Sequence, residues 1–161
     1  MKSLGLDVSS VSTGWAILDE KLSLIDYGVI DFKRGTPHKR RLVLFGSLLR
    51  AIVAKNPDLD WIVIEDTYMA KNPVTTKLLN KYSGVAIENV YLSVGDKCSI
   101  TLLTPQSIRS AIFPKQKSDK EMVYKYMLKK YKLKDVPNDV TDAIAAATYP
   151  LIKEVETKWV L

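Results

Sequence analysis

The sequence predicts an α/β fold: a mixed β-sheet with three leading antiparallel strands, then parallel strands, flanked by helices on both faces. Three observations carry this expectation. Leu4–Ser9, Thr13–Leu18 and Leu22–Phe32 are short apolar runs, set apart by small polar residues, that precede any helical pattern. Trp61-Ile62-Val63-Ile64 is a continuous apolar run with β-branched residues, which suits a central strand covered on both sides. From there on, helix-like and strand-like segments alternate, and that alternation builds parallel pairs.

The elements follow in order. Arg34-Gly35-Thr36-Pro37 breaks the third strand, with Thr36 predicted as an N-cap and Pro37 as the first helical position. Leu42, Phe45, Leu48, Leu49, Ile52 and Val53 recur at spacings of three and four, giving an amphipathic helix that ends near Asn56-Pro57. After the strand at Trp61 comes a loop through Asn72-Pro73, then a helix from Thr75 to about Ser93. Ser99–Thr104 reads as a strand, and Pro105 opens a short helix through Ile112. Met122, Tyr126, Met127 and Tyr131 mark another helix, to whose packing Tyr124, Tyr126 and Tyr131 are assigned. A last helix is expected from about Asp139 to Lys158. No repeat, linker or low-complexity tract interrupts the 161 residues, so residues 1–161 are expected to form a single domain.

Composition removes several function classes. With 47% hydrophobic and 26% charged residues, the chain has the balance of a folded globular protein rather than a disordered tail. No run approaches the roughly 20 apolar residues of a membrane span. Met1–Asp7 enters a strand with no apolar leader, so secretion is not expected and a cytoplasmic location is. A single cysteine, Cys98, and a single histidine, His38, can make neither an internal disulfide nor a zinc cage. The formal charge of +6 is concentrated. Nine cations and only two anions lie between Pro105 and Lys134, a +7 segment that leaves −1 for the rest of the chain. Such a segment reads as a phosphate-facing surface or as a solvated helix face, and charge alone does not choose between them.

Four carboxylates stand out by position. Asp7 sits among Leu4, Leu6 and Val8 in the first strand, and Glu65 closes the Trp61–Ile64 run. Asp139 and Asp142 lie three apart where the last helix begins, hence on one helical face. A carboxylate embedded in an apolar strand loses hydration and needs a cation or a metal. No lysine or arginine is adjacent in sequence to Asp7 or Glu65. If the first and fourth strands are neighbours, the two acids meet. Oxygen donors without a nearby histidine favour Mg²⁺ or Mn²⁺ over zinc. Taken singly, Asp7 also suits a turn cap, Glu65 a strand end, and the Asp139/Asp142 pair a helix start with acids against its dipole.

Together these residues resemble the RuvC family of Holliday-junction resolvases, within the RNase H-like nuclease superfamily. The similarity runs from Leu4 to about Thr148. Gly5-Leu6-Asp7 followed by Thr13-Gly14-Trp15-Ala16 is similar to the family's opening hairpin. The most specific piece is Ile64-Glu65-Asp66-Thr67-Tyr68-Met69-Ala70-Lys71-Asn72, which resembles the catalytic Glu and the loop after it. Gly84-Val85-Ala86-Ile87, Thr104-Pro105-Gln106-Ser107-Ile108-Arg109 and Asp139-Val140-Thr141-Asp142-Ala143 match further motifs. The family's Pro-Gly after the first Asp is replaced here by Val8-Ser9-Ser10. Leu79-Asn80-Lys81-Tyr82-Ser83 and the basic loop Phe113–Ser118 also depart, which points to a divergent branch of phage or viral type.

The resemblance implies a metal-dependent, structure-selective endonuclease that resolves Holliday junctions by paired nicks, leaving 5′-phosphate and 3′-hydroxyl ends. It implies branched DNA as partner, a homodimer, and two Mg²⁺ ions per site, with Mn²⁺ able to substitute. Asp7, Glu65, Asp139 and Asp142 are the expected metal ligands, with Asp7 bridging both ions. Lys120, or Lys117 as second choice, is expected on the scissile phosphate. Tyr68 is expected to stack on a base near the crossover. Lys71, Lys81, Arg109, Lys115 and Lys117 are candidate DNA contacts. Three other readings stand beside this one: a broader branched-DNA or flap nuclease, an inactive junction-binding protein, and an ATP binder of the actin or hexokinase type. The last needs two such domains, and 161 residues do not supply them.

Overall fold

Alternation in the first three strands produces an antiparallel meander in the computed structural model, which describes residues 1–66 and 72–153. β1 (Lys2–Asp7) pairs with β2 (Ser12–Asp19), and β2 pairs with β3 (Leu24–Asp31). The chain crosses through α1 (His38–Ala54) to β4 (Trp61–Glu65), which lies parallel to β1. A second crossover, α2 (Pro73–Val94), leads to β5 (Ser99–Leu103), parallel to β4. Three helices follow: α3 (Pro105–Ile112), α4 (Lys120–Tyr131) and α5 (Asn138–Ile152). The sheet order is β3-β2-β1-β4-β5, so the two strands ending in Asp7 and Glu65 are central neighbours.

Side-chain alternation divides the core in two. Leu4, Leu6, Ile17, Ile62 and Ile64 project from one face onto Phe45 and Leu49 of α1 and Tyr82, Ala86 and Val90 of α2. Ala16, Leu18 and Val63 project from the other face onto Ile108, Val123, Met127 and the buried face of α5. The second face is unusual in being built of small residues. A Cβ on Gly5 would collide with the Ala143 carbonyl oxygen and the Ala147 backbone nitrogen. A Cβ on Gly14 would collide with the Asp139 carbonyl. α5 therefore lies almost directly on the backbones of β1 and β2, with Ala143, Ala146 and Ala147 as its own contacts.

Several boundaries differ from expectation for local reasons. Thr36 is not the N-cap of α1: that position is Pro37, and the Thr36 hydroxyl instead donates to the Lys33 carbonyl at 2.8 Å within the preceding turn. α2 begins at Pro73, two residues before the expected Thr75, because the Asn72 side chain accepts from the Val74 amide and makes Pro73 the first helical residue. β3 begins at Leu24, not Leu22. Leu22 has a positive φ in a turn organised by the Asp19 carboxylate, which accepts from the Lys21 and Ser23 amides. α5 spans Asn138–Ile152 with Lys153 extended as its C-cap, and the expected continuation to Lys158 lies outside the described residues. Of the tyrosines of α4, Tyr131 packs on the α5-side core and Tyr124 donates to the Val136 carbonyl, whereas Tyr126 is 40% exposed and meets Phe113 edge-on with ring centroids 5.3 Å apart. Among the described residues, no helix is long and apolar enough to cross a membrane.

Candidate active site

Strand pairing brings the first two acids together. In the parallel β1/β4 ladder, Asp7 stands directly opposite Glu65, each the last residue of its strand. Both share a face with Gly5 and Val63, the face covered by α5. The close seating of α5 on Gly14 then delivers Asp139 and Asp142 from the first two turns of that helix. Asp139, in the first turn, also complements the helix dipole. Asp142 is buried, with 7% of its surface exposed. The four acids occupy one end of the sheet.

Their ionisation behaviour shows how closely they share a field. Burial pushes the Asp7 carboxyl up to about 8, with Glu65, Asp142 and Asp139 adding repulsion and Lys120 opposing it. Burial likewise lifts Glu65 to about 7, reinforced by Asp142 and opposed by Lys120 and Arg109. Asp142 is raised as well, chiefly by burial, although it accepts a hydrogen bond from Lys120. The Lys120 Nζ, at the start of α4, donates to Asp142 Oδ2 at 2.6 Å. Burial works against that ammonium, but Asp142, Asp7 and Glu65 outweigh it and hold Lys120 above the ordinary lysine value.

Ser12 belongs to the same constellation and was not anticipated from the sequence. Its hydroxyl donates to Asp139 Oδ2 at 2.6 Å across 127 residues of chain. Ser12 is itself fixed by its loop: its amide donates to Ser9 Oγ, and Ser9 Oγ donates to the Ser12 carbonyl. These serines lie where the Pro-Gly of the resembled family is missing, so side-chain hydrogen bonds rather than proline organise the turn. No sequence pattern marks such a contact.

Lys120 and Ser12 each occupy one carboxylate oxygen, and among the described residues no three acidic or histidine side chains meet as a ready-made ligand cage. The donor chemistry nonetheless fits a hard divalent cation. Asp142 pairs with the Lys120 ammonium, Asp7 and Glu65 lie within its field, and those two carboxyls are pushed up to about 8 and about 7. The one histidine, His38, packs instead against Tyr82 on the opposite face of the sheet.

The remaining predicted residues distribute as follows. Arg109, in the last turn of α3, is near enough to favour ionisation of Glu65 and Asp142. Lys115 and Lys117 are exposed on the segment between α3 and α4, and Lys81 is exposed on α2. Tyr68 and Lys71 lie outside the described residues.

With this geometry in view, the comparisons are specific. Residues 3–149 match the family described as crossover junction endodeoxyribonuclease RuvC. The protein of that name from Campylobacter curvus is 34% identical over 153 residues, covering 91% of this chain and 94% of the relative. The Campylobacter jejuni protein of strain 81116 is also 34% identical, covering 91% of this chain and 93% of its own. The fold is similar to a solved structure of T. thermophilus RuvC in complex with Holliday junction substrate, with a TM-score of 0.80 at 14% identity, over 94% of this chain and 93% of that one. A match across nearly the whole length of full-sized relatives, with all four acids converging, leaves one conclusion. The chain belongs to the RuvC family of crossover junction endodeoxyribonucleases.

Proposed function

We propose that this chain resolves four-way DNA junctions by paired nicks, using Asp7, Glu65, Asp139 and Asp142 to hold two Mg²⁺ ions, which Mn²⁺ can replace. The observation that carries the reading is the in-register pairing of Asp7 with Glu65 beneath the acidic start of α5. Family membership makes the enzyme a divalent-metal-dependent endonuclease. Asp7, which feels Glu65, Asp142 and Asp139 together, would be the ligand shared between the ions. Glu65 would hold one ion, and Asp142 with Asp139 the other. The bound ions would supply water activation and neutralisation of charge on the leaving 3′ oxygen.

The chain's own residues do the rest. Lys120 is preferred over Lys117 for the scissile phosphate, because its ammonium already sits in the pocket and is held fully charged there. Arg109 adds positive field behind Glu65 and Asp142. Lys71, Lys81, Lys115 and Lys117 would contact phosphates along the arms, and Tyr68 would stack on a base opened at the crossover. A homodimer places two such sites on opposed strands. Residues 1–161 act as one nuclease domain in the cytoplasm, in the host's cytoplasm if the source is a phage. The test is cleavage of end-labelled substrates in Mg²⁺. The reading expects paired, ligatable nicks in a four-way junction, with flap and duplex cut far more slowly. Equal cutting of flaps would move the assignment to a broader branched-DNA nuclease.

A further inference from the structure

The start of α1 carries a charge that the fold does not explain. From Phe32 to Asn56 there are seven cations and no acid. Among the described residues, none of the seven makes an ion pair with a carboxylate. Four of them, Lys33, Arg34, Lys39 and Arg40, are exposed and bracket the helix start at His38. The helix has no side-chain N-cap and no acid in its first turn. A helix N-terminus is already electropositive, so cations there oppose the dipole and cost stability. Asp31, which lines the same groove as Lys33 and Arg40, is the one carboxylate beside them and makes no ion pair with either among the described residues, so most of this positive charge is left for an anion from outside the chain.

Their position says which anion. Asp31, which ends β3, is paired with Ser12, so the loop after β3 lies at the same end of the sheet as the carboxylates. Arg41 donates from Nη1 to the Ser10 carbonyl at 2.9 Å, and two residues on, Ser12 donates to Asp139. The β1–β2 loop thus joins the cationic start of α1 to the carboxylate pocket. The basic α3–α4 segment approaches that pocket from the face covered by α5, whereas α1 covers the opposite face.

We propose that Lys33, Arg34, Lys39 and Arg40 form a second phosphate-binding surface, which grips a duplex arm of the substrate on the α1 side while α3 and α4 hold it on the other. This rests on the junction-cleaving reading above and adds to it the surface that orients an arm. Binding of this kind releases one counterion per phosphate neutralised, so it is read in salt dependence.

The test uses the full chain with all four residues changed to Gln, in parallel with a Lys115→Gln/Lys117→Gln variant. Junction affinity is measured from about 50 to 200 mM salt, in Ca²⁺ to prevent cleavage. The expected result is a slope of log affinity against log salt shallower by about 2–4, at roughly 0.9 per lost contact. Cleavage at limiting enzyme should fall in step with the lost affinity. The melting temperature should be equal or higher, since like charges leave the helix N-terminus. An unchanged slope would overturn the proposal. A lowered melting temperature would overturn it too, by giving the cations a structural role. Failure of wild type to bind or cut junctions would instead remove the functional reading itself.

Discussion

Replacing Gly14 with Ala tests whether the seating of α5 on the sheet is what assembles the active site. The added Cβ would lie 2.8 Å from the Val140 nitrogen and closer still to the Asp139 carbonyl, all of it backbone that no rotamer change can move aside. Comfortable carbon contacts begin at about 3.5 Å, so the start of α5 must withdraw by about 1.5 Å. Overpacking of this kind costs about 1–3 kcal/mol. The larger effect falls on chemistry, because the withdrawn residue carries one acid and lies three positions before the other. A displacement of about 1 Å in a catalytic group can cost on the order of 100-fold in rate. Stability is read by urea denaturation and rate by single-turnover cleavage of a four-way junction at saturating enzyme. Gly84→Ala serves as the stability control: its Cβ would meet nothing within 4 Å, and inside α2 it should gain roughly 0.5–1 kcal/mol. A Gly14→Ala protein that folds and cuts like wild type would refute the argument that close seating places Asp139 and Asp142.

Three further outcomes are expected, two from the same geometry and the third from the proposed role of Tyr68. In the metal-free protein, Asp7 and Glu65 titrate near 8 and 7, so between about pH 4 and 8 the folded state holds protons the unfolded state has lost, and stability falls as pH rises. Asp7→Asn should flatten that fall and exceed wild type in stability at about pH 8.5, by denaturation with chelator present; an identical pH slope would contradict it. Ser12→Ala should raise the Mg²⁺ requirement and slow cleavage by about 10–100-fold, with Ser12→Thr retaining most activity, because the hydroxyl orients Asp139; an unaltered Mg²⁺ titration would reduce the bond to a loop contact. Tyr68→Ala should slow cleavage of an intact junction but be rescued on one already unpaired at the crossover, with Tyr68→Phe near wild type, whereas equal loss on both substrates would make the ring a packing element.

Hydrophobic patterning made most of the fold legible, because alternation and β-branched runs mark strands whatever their partners. The positions of Asp7 and Glu65 were readable for the same reason: a charge inside an apolar strand is conspicuous. Their meeting depended on β1 and β4 being neighbours, which the strand order supplies. Helix starts were less legible, since Asn72 and Thr36 both precede a proline and only Asn72 became a cap. Ser12 was invisible because its partner is 127 residues away. The cationic start of α1 was hidden by averaging, since acids elsewhere brought the remainder of the chain to −1.

The proposed function makes Asp7 the anchor of a two-metal centre completed by Glu65 and the α5 acids. Manganese titration, followed by electron paramagnetic resonance on the protein bound to an uncleavable phosphorothioate junction, addresses it without relying on turnover. Wild type should bind two Mn²⁺ per active site, spin-coupled to one another through a shared ligand, and Asp7→Asn should bind the junction while losing that coupling. Two coupled ions retained in Asp7→Asn, or a single uncoupled ion in wild type, would contradict the assignment.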